Sequence, residues 1–424
     1  MWKRAEGAAR ALAEIEIWPV GLAIAASVFS KRAMPYALGL AALFWGLRWL
    51  AHRRLTVRTP LDWPLALMAL MLPVTMWATA YPELTLPQVL RLLTAMALYV
   101  TLVNWANSSG KLKTLATLLA MAGLPLALSA PFTVEWFTTK HFLFPQSVYT
   151  KINEVVPLLS ATAIHPNAMA AALALLCALS WALWLFARRE QRLGERLLLV
   201  LAGVGTAGIL LLSQSRGALL SLAVSLPLLA MLRWRRAWWA LAPLGLAGAI
   251  ALYLVGVRNV LEYIAAGGAV RSMDGRMEIW SRAIYAIQDF PLSGIGMGTF
   301  SQVVPVLYPF SRLAEANHAH NLFLQVAVDL GIPGLVAWLA MLIPVVLGAW
   351  ELYREGRRRG DAWLRALGAG LLCSQAALVA HGLVDAGSWV TWPVLIVWAL
   401  WGLTVAGVRL LPEPDSPSAR TPIG

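Results

Sequence analysis

Apolar residues in this chain run in long unbroken stretches, and polar residues gather in short clusters between them. Stretches near 17–30, 34–50, 61–80, 87–106, 114–131, 166–186, 197–213, 217–232, 239–257, 321–350, 366–383 and 389–408 predict helices. A helix needs about 20 apolar residues to cross a bilayer, so the shorter stretches sit at the limit. The expected fold is all-α: a polytopic membrane protein with about twelve transmembrane helices, forming a single transmembrane domain over 1–424. Two connections, 132–165 and 258–320, are too long to be simple turns. The second is expected to be a large loop containing short helices. Within it, Met277, Trp280, Ile284 and Ile287 recur at helical spacing, as in a helix resting on the bilayer surface.

Composition agrees: 59% of residues are hydrophobic and 13% charged, where soluble domains carry about a quarter charged. A net charge of +13 raises the question of nucleic acid, but Lys and Arg occupy alternate inter-helix clusters, so no nucleic-acid partner is expected. Most of the 34 basic residues fall in the two tails and in loops 51–60, 107–113, 187–196, 233–238 and 351–365. Positive loops stay in the cytoplasm, which puts both termini inside and 258–320 outside, in the periplasm of an inner-membrane protein. The first hairpin, with Lys31 and Arg32 outside, runs against this bias. Residues 411–424 hold Pro412, Pro414 and Pro417 and read as a disordered cytoplasmic tail. Cys177 and Cys373 lie in apolar runs and predict no disulfide, and no cleavable signal precedes the first run.

Chemistry is expected where polar groups sit at cost. Arg216, in Ser213-Gln214-Ser215-Arg216-Gly217-Ala218, joins two apolar runs almost without a loop, and Arg91 lies inside its helix. Arginine at membrane depth usually faces a bundle interior or an aqueous cavity, where its fork fits phosphate oxygens; the alternative is snorkelling to headgroups. At the re-entry of the long loop stands Asn317-His318-Ala319-His320-Asn321. An imidazole there can move a proton near neutral pH, or simply cap the helix. No Asp, Glu or Cys cluster accompanies the two histidines in sequence, so no metal is expected.

Several of these landmarks, taken in order, resemble the bacterial O-antigen ligase superfamily, which also holds O-antigen polymerases and protein O-oligosaccharyltransferases. His320-Asn321, nine residues, then Gly331-Ile332-Pro333-Gly334 resembles its histidine signature. Ser215-Arg216-Gly217-Ala218 is similar to its Ser-Arg-Gly motif. Arg276-Met277-Glu278-Ile279-Trp280 and Phe290-Pro291-Leu292-Ser293-Gly294-Ile295-Gly296 resemble its large periplasmic loop. His165-Pro166-Asn167 is similar to an Asn-bearing helix entry, and His381-Gly382-Leu383-Val384-Asp385 to a late helix end. The likeness covers about residues 160–390; the N-terminal third adds only helices.

The resemblance implies an inverting, metal-independent glycosyltransferase without cofactors, acting on the periplasmic face of a bacterial inner membrane. Its donor would be a glycan on undecaprenyl diphosphate and its acceptor a hydroxyl of lipid A-core; a polymerase would accept a second lipid-linked glycan instead. Arg216 and Arg276 would hold the diphosphate and His320 would be the base. Arg271 or Arg258 would be a third loop arginine, Arg271 being favoured because it would share a surface with Arg276. Asn321, His318, Trp280, Asn167 and Arg91 complete the substrate-binding candidates. Asn321 is expected to orient His320, and helical geometry would turn His318 roughly 200° away from it. A lipid or solute transporter is the reading from another class, since polar residues in a helical bundle also mark transport paths.

Overall fold

The structure, a computed structural model, describes residues 2–136, 143–157, 164–187, 189–256, 273–311 and 316–412. These residues fold as helices joined by short turns, and the one β-type contact among them is an isolated bridge between Val134 and Ile164. The first third holds α1 (Trp2–Ala13), α2 (Ile17–Phe29), α3 (Ala33–His52), α4 (Asp62–Ala78), α5 (Pro82–Trp105), α6 (Ser109–Met121) and α7 (Gly123–Thr133). Then come α8 (Gln146–Val155), α9 (Pro166–Ala187), α10 (Leu193–Ser213), α11 (Arg216–Arg233) and α12 (Ala237–Val255). The long loop contributes α13 (Met273–Asp289) and α14 (Phe300–Leu307). The chain ends with α15 (Leu322–Arg359), α16 (Ala362–Gly382), α17 (Gly387–Val390) and α18 (Val394–Arg409).

Among the described residues each of the twelve apolar stretches is largely helical, 389–408 being interrupted at 391–393, but their count as membrane spans is another matter. Seven described helices are long and apolar enough to cross a bilayer, or eight if the pair Glu6–Ala13 and Ile17–Phe29, bent by 49°, is one span. Helices α4 and α18 have 17 and 16 residues, short of a full crossing on length alone. The stretch 114–131 is two helices in sequence, α6 and α7, meeting at Ala122. The expected tail beyond residue 412 lies outside the described residues.

Helix α9 is the hub. Its alanine-rich sequence is buried on nearly every face, and it packs against α10, α11 and α16. Small residues let backbones approach, which is what membrane helices use in place of a hydrophobic drive. Gly368 of α16 illustrates it: a Cβ there would fall 2.1 Å from the backbone of Tyr353 on α15.

Helix α15 is broken at Gly331, whose φ of 70° is left-handed. The break is where the long loop docks. The Ile332 N–H donates to Pro291 O at 2.7 Å and the Ile295 N–H donates to Val328 O at 2.9 Å. Gly294, Gly296 and Gly298 all have positive φ, and a Cβ on Gly294 would lie 2.5 Å from Val328 O. Behind them is a closed polar network. Asp329, 1% exposed, accepts from Gln325 Nε2 (2.9 Å) and Trp389 Nε1 (2.8 Å). The Asp329 carbonyl accepts from Thr75 Oγ1 at 2.9 Å, and the Thr75 hydroxyl accepts from Met297 N at 3.1 Å. Helices α4, α15 and α17 and the glycine-rich loop are thus tied together at one residue, through its carboxylate and its carbonyl.

Helix α13 divides the expected stripe: Trp280 and Ile287 pack against a small core, and Met277 and Ile284 stay exposed. Ile279, Ala283 and Ala286 are buried with Phe300, Val304 and Val328, while Met277 and Ile284 are 56% and 44% exposed. Alanines, weak in a hydrophobicity pattern, are what permit close approach here. Trp280 lies half-buried against this small core.

Candidate active site

The turn after α16 gathers the motifs. Leu383 to Ala386 leave the helix with Val384 N and Asp385 N both bonded to His381 O, at 3.0 and 2.9 Å. The turn thereby presents its Leu383 and Val384 carbonyls outward, and other segments take them. Asn321 Nδ2 donates to Leu383 O at 3.2 Å, and Arg276 Nη1 donates to Val384 O at 2.7 Å. Asp385 is buried, its Oδ1 accepting from Gly387 N (3.0 Å) and its Oδ2 from Asn167 Nδ2 (3.1 Å). Gly217 lies against the same turn: a Cβ there would fall 3.0 Å from His381 Cδ2 and 3.3 Å from Val384 Cγ2. Arg216, the first residue of α11, is therefore carried to the turn by its neighbour's close fit.

Local sequence explains the approach directions. Asn321 is the N-cap of α15, its Oδ1 accepting from Phe323 N and Leu324 N at 3.0 and 3.1 Å. Gln214 ends α10 in a left-handed cap, so α11 restarts within two residues. The N-termini of α9, α11 and α15 thus meet at one place, each with a partial positive charge that favours an anion.

Two histidines complete the site. The His318 and His320 rings meet at 4.0 Å between centroids with their planes tilted by 49°, so His318 is not turned away; residues 318–320 precede the helix and do not follow its geometry. The His320 N–H donates to His318 Nδ1 at 3.1 Å, and His318 Nε2 stands 3.9 Å from Asp385 Oδ1. His320 has φ of 47°, unusual for a non-glycine residue, and its Nδ1 is buried without a partner. Asn321 spends its side chain on the cap and on Leu383; the backbone of His320 is held by His318.

Electrostatics favours neutral imidazoles. Burial, then the neighbouring His318, pushes His320 down to about 3, with Asp385 opposing. His318 is lowered by burial, again with Asp385 opposing and Arg276 assisting. Burial raises Asp385, but His318, His381 and His320 together outweigh it and hold the carboxyl below its usual range. Burial lowers the Arg276 guanidinium and Asp385 counteracts that.

Of the residues singled out in sequence, Arg276, His320, His318, Asn321 and Asn167 come together at this turn, with Arg216 beside it on α11. Trp280 packs in the loop core. Arg91 lies apart, donating to Gln88 Oε1 and, at 2.8 Å, to Val390 O at the end of α17. Arg258 and Arg271 lie outside the described residues. Asp385, the common partner, was passed over as a candidate; a carboxylate at a helix end between apolar runs was the available signal. It also changes the metal question. His318, His320 and Asp385 each offer a donor atom within 4.8 Å of the others, a spacing a metal ion can bridge. The acidic partner missing from the local sequence is supplied 65 positions later by the fold. The Asp385 oxygens already accept from Asn167 and Gly387, and Arg276 supplies a charge beside them, so the carboxylate is satisfied by the protein itself.

Two cavities lie away from the turn, neither lined by its residues. An apolar one of about 540 Å³ lies between α7 and α10, lined by Leu124, Leu128, Phe132, Phe144, Ile209 and Leu212 among others. It ends at Leu212, four residues before Arg216. A polar recess of about 300 Å³ involves Asp274, Glu278 and Arg282, on the face of α13 opposite Arg276 by helical geometry.

Residues 197–339 match a family model described as O-antigen ligase. No curated protein matches the chain. The matched stretch contains Arg216, Arg276, His318, His320, Asn321 and Gly331, and stops short of the turn at His381–Asp385.

Proposed function

We propose, from the match of residues 197–339 to the O-antigen ligase family model in a chain with several helices long and apolar enough to cross a membrane, that this chain belongs to that superfamily and performs a specific reaction. The chain transfers a glycan from undecaprenyl diphosphate to an acceptor hydroxyl of lipid A-core, with inversion and without a metal, at the periplasmic face of the inner membrane. One observation carries this reading: Arg276, Asn321, Asn167 and the Arg216–Gly217 step, from four separated segments, converge on the 383–385 turn beside His320.

In this reading the diphosphate lies at the meeting of the three helix N-termini, with Arg216 and Arg276 balancing the charge that grows on the leaving group. Two guanidinium forks supply there what a divalent cation supplies in other glycosyltransferases. His320 takes the acceptor proton. An imidazole pushed down to about 3 is a weak base in the free protein, and the incoming diphosphate, by offsetting Arg276, raises its basicity as the substrate arrives. The apolar cavity ending at Leu212 suits the polyprenyl tail, which enters from the bilayer while both glycans stay in water. With α3, α4, α12 and α18 added to the longer helices, the chain would make about twelve spans with both termini cytoplasmic and 258–320 periplasmic. The tail beyond 411 would be a cytoplasmic appendage, and Arg271 or Arg258 a third diphosphate ligand.

The test is transfer in vitro from a purified undecaprenyl-diphosphate glycan, offered lipid A-core in one arm and a second lipid-linked glycan in the other. Product only in the second arm makes the chain a polymerase; product in neither, with intact protein, overturns the reading. Transport of the donor across proteoliposomes without glycan transfer would favour a transporter. The groups gathered at the 383–385 turn sit at helix ends and not at mid-helix, which weighs against that class.

A further inference from the structure

Resting on the reading of His320 as base, we propose that His318 is its positioning residue, hydrogen-bonded at one edge of its ring, facing a carboxylate with the other, and holding His320 in a strained backbone. His318 Nδ1 accepts the His320 N–H at 3.1 Å, so in the neutral ring the proton resides on Nε2. That Nε2 faces Asp385 Oδ1 at 3.9 Å, a carboxylate itself pinned by Asn167 and Gly387. A carboxylate behind an imidazole sets its tautomer and orientation, as in carboxylate–histidine pairs generally. The forward edge then holds His320 where it would not otherwise stay. A non-glycine residue at φ of 47° is sparsely populated, and such strain persists only where surroundings impose it. The contact of the two tilted rings, 4.0 Å between centroids, adds the third restraint.

The same device occurs again across the site. His165 Nδ1 accepts the Asn167 N–H at 3.1 Å, two residues on, and Asn167 then donates to the second oxygen of Asp385. Two histidine-capped turns, 153 positions apart, close on one carboxylate from opposite sides. The charged and titratable groups facing the His318–His320 pair are Asp385, Arg276 and His165, with His381 beyond Asp385. His318 touches neither leaving group nor acceptor in this scheme; it acts through His320.

Three substitutions separate the restraints. His318→Phe keeps a ring but no acceptor, His318→Asn keeps an acceptor that can bond two residues on but no ring, and His318→Ala keeps neither. Since misplacing a catalytic group by about 1 Å can cost on the order of 100-fold, Phe and Ala are expected to lower kcat by about 10- to 100-fold with donor KM and Tm unchanged. Asn is expected to recover a good part of it. Wild-type kcat in His318→Ala, or a loss explained by a fallen Tm and raised KM, overturns the proposal. Nitrogen-15 histidine spectra of the full-length wild-type protein give an outcome independent of activity: a proton on His318 Nε2 supports the proposal, and one on Nδ1 overturns it. His320→Gln in the same assay tests the underlying reading, since its full activity would remove the base role while leaving the spectral result standing.

Discussion

Two polar clusters sit in this otherwise apolar bundle, and they are finished differently. Around Asp329, both carboxylate oxygens, its own carbonyl and the Thr75 hydroxyl have partners from Gln325, Trp389 and Met297, and the carboxylate is 1% exposed. Around Asp385, the carboxylate is held, but His320 Nδ1 and both nitrogens of His381 are buried without partners, and His320 is strained. A buried polar group left unpaired costs about 1–3 kcal/mol, so a cluster that tolerates three is incomplete as a structural device. The closed cluster holds the loop to the bundle. The open one is where we propose that the substrate binds.

That contrast predicts opposite outcomes for mutations of similar size. The largest effect is expected at the open site: Arg276→Ala and Arg216→Ala should each reduce transfer by about 10²–10³-fold while Tm and expression hold. Lys at 276 should rescue poorly, because an ammonium lacks the two-pronged fork. Wild-type rates in both alanine variants would put the diphosphate elsewhere. Next in size, Asp329→Ala should lower thermal stability, leaving Trp389 and Gln325 unpaired at about 1–3 kcal/mol each, with transfer per folded molecule preserved. A stable, inactive Asp329→Ala would erase the distinction between the two clusters.

Acidification should weaken the open site. His318 and His320 have folded values below the ordinary 6.5, His320 at about 3, so as pH falls below 6.5 the unfolded chain takes up protons that the folded chain refuses. Their contribution is present above 6.5 and is lost progressively down to about 3. Thermal melts between pH 7 and 5 should show this slope in the wild type and less of it in His320→Gln. The smallest expected effect is none: a chelator should leave transfer unchanged if the arginines alone carry the leaving-group charge. Loss on chelation, restored by a divalent ion, would turn His318, His320 and Asp385 into ligands. Orientation has its own check, since a cysteine at Leu292, 72% exposed, should label from outside the intact inner membrane.

Much of this was legible in the sequence, for identifiable reasons. Helices follow from apolar runs, and each run is largely helical because the bilayer leaves no other way to satisfy the backbone. Arg216 and His320 stand out because a charge or an imidazole is costly beside an apolar run, whereas Arg276 and Asn167 are carried by the family resemblance. What escaped was pairing over distance. Nothing near His318 announces Asp385, and nothing near Gly294 announces the break at Gly331 that receives it. The protein-facing side of α13 adds Ala283 and Ala286 to Ile279, and alanines gain burial from close fit and not from hydrophobic bulk, so a hydrophobicity pattern does not show them. Arg258 and Arg271 lie outside the described residues, so the third arginine rests on sequence alone.

The turn at 383–385 offers carbonyl oxygens, and not its Leu383 and Val384 side chains, to Asn321 and Arg276. Every amino acid brings the same carbonyl, so a substitution scan across Leu383 and Val384 would record them as permissive and suggest that nothing happens there. Lengthening the segment by one residue would do what no substitution does, sliding both oxygens out of register with their donors. An insertion scan, blind to chemistry and sensitive only to spacing, is therefore the genetic experiment that would detect this part of the machinery.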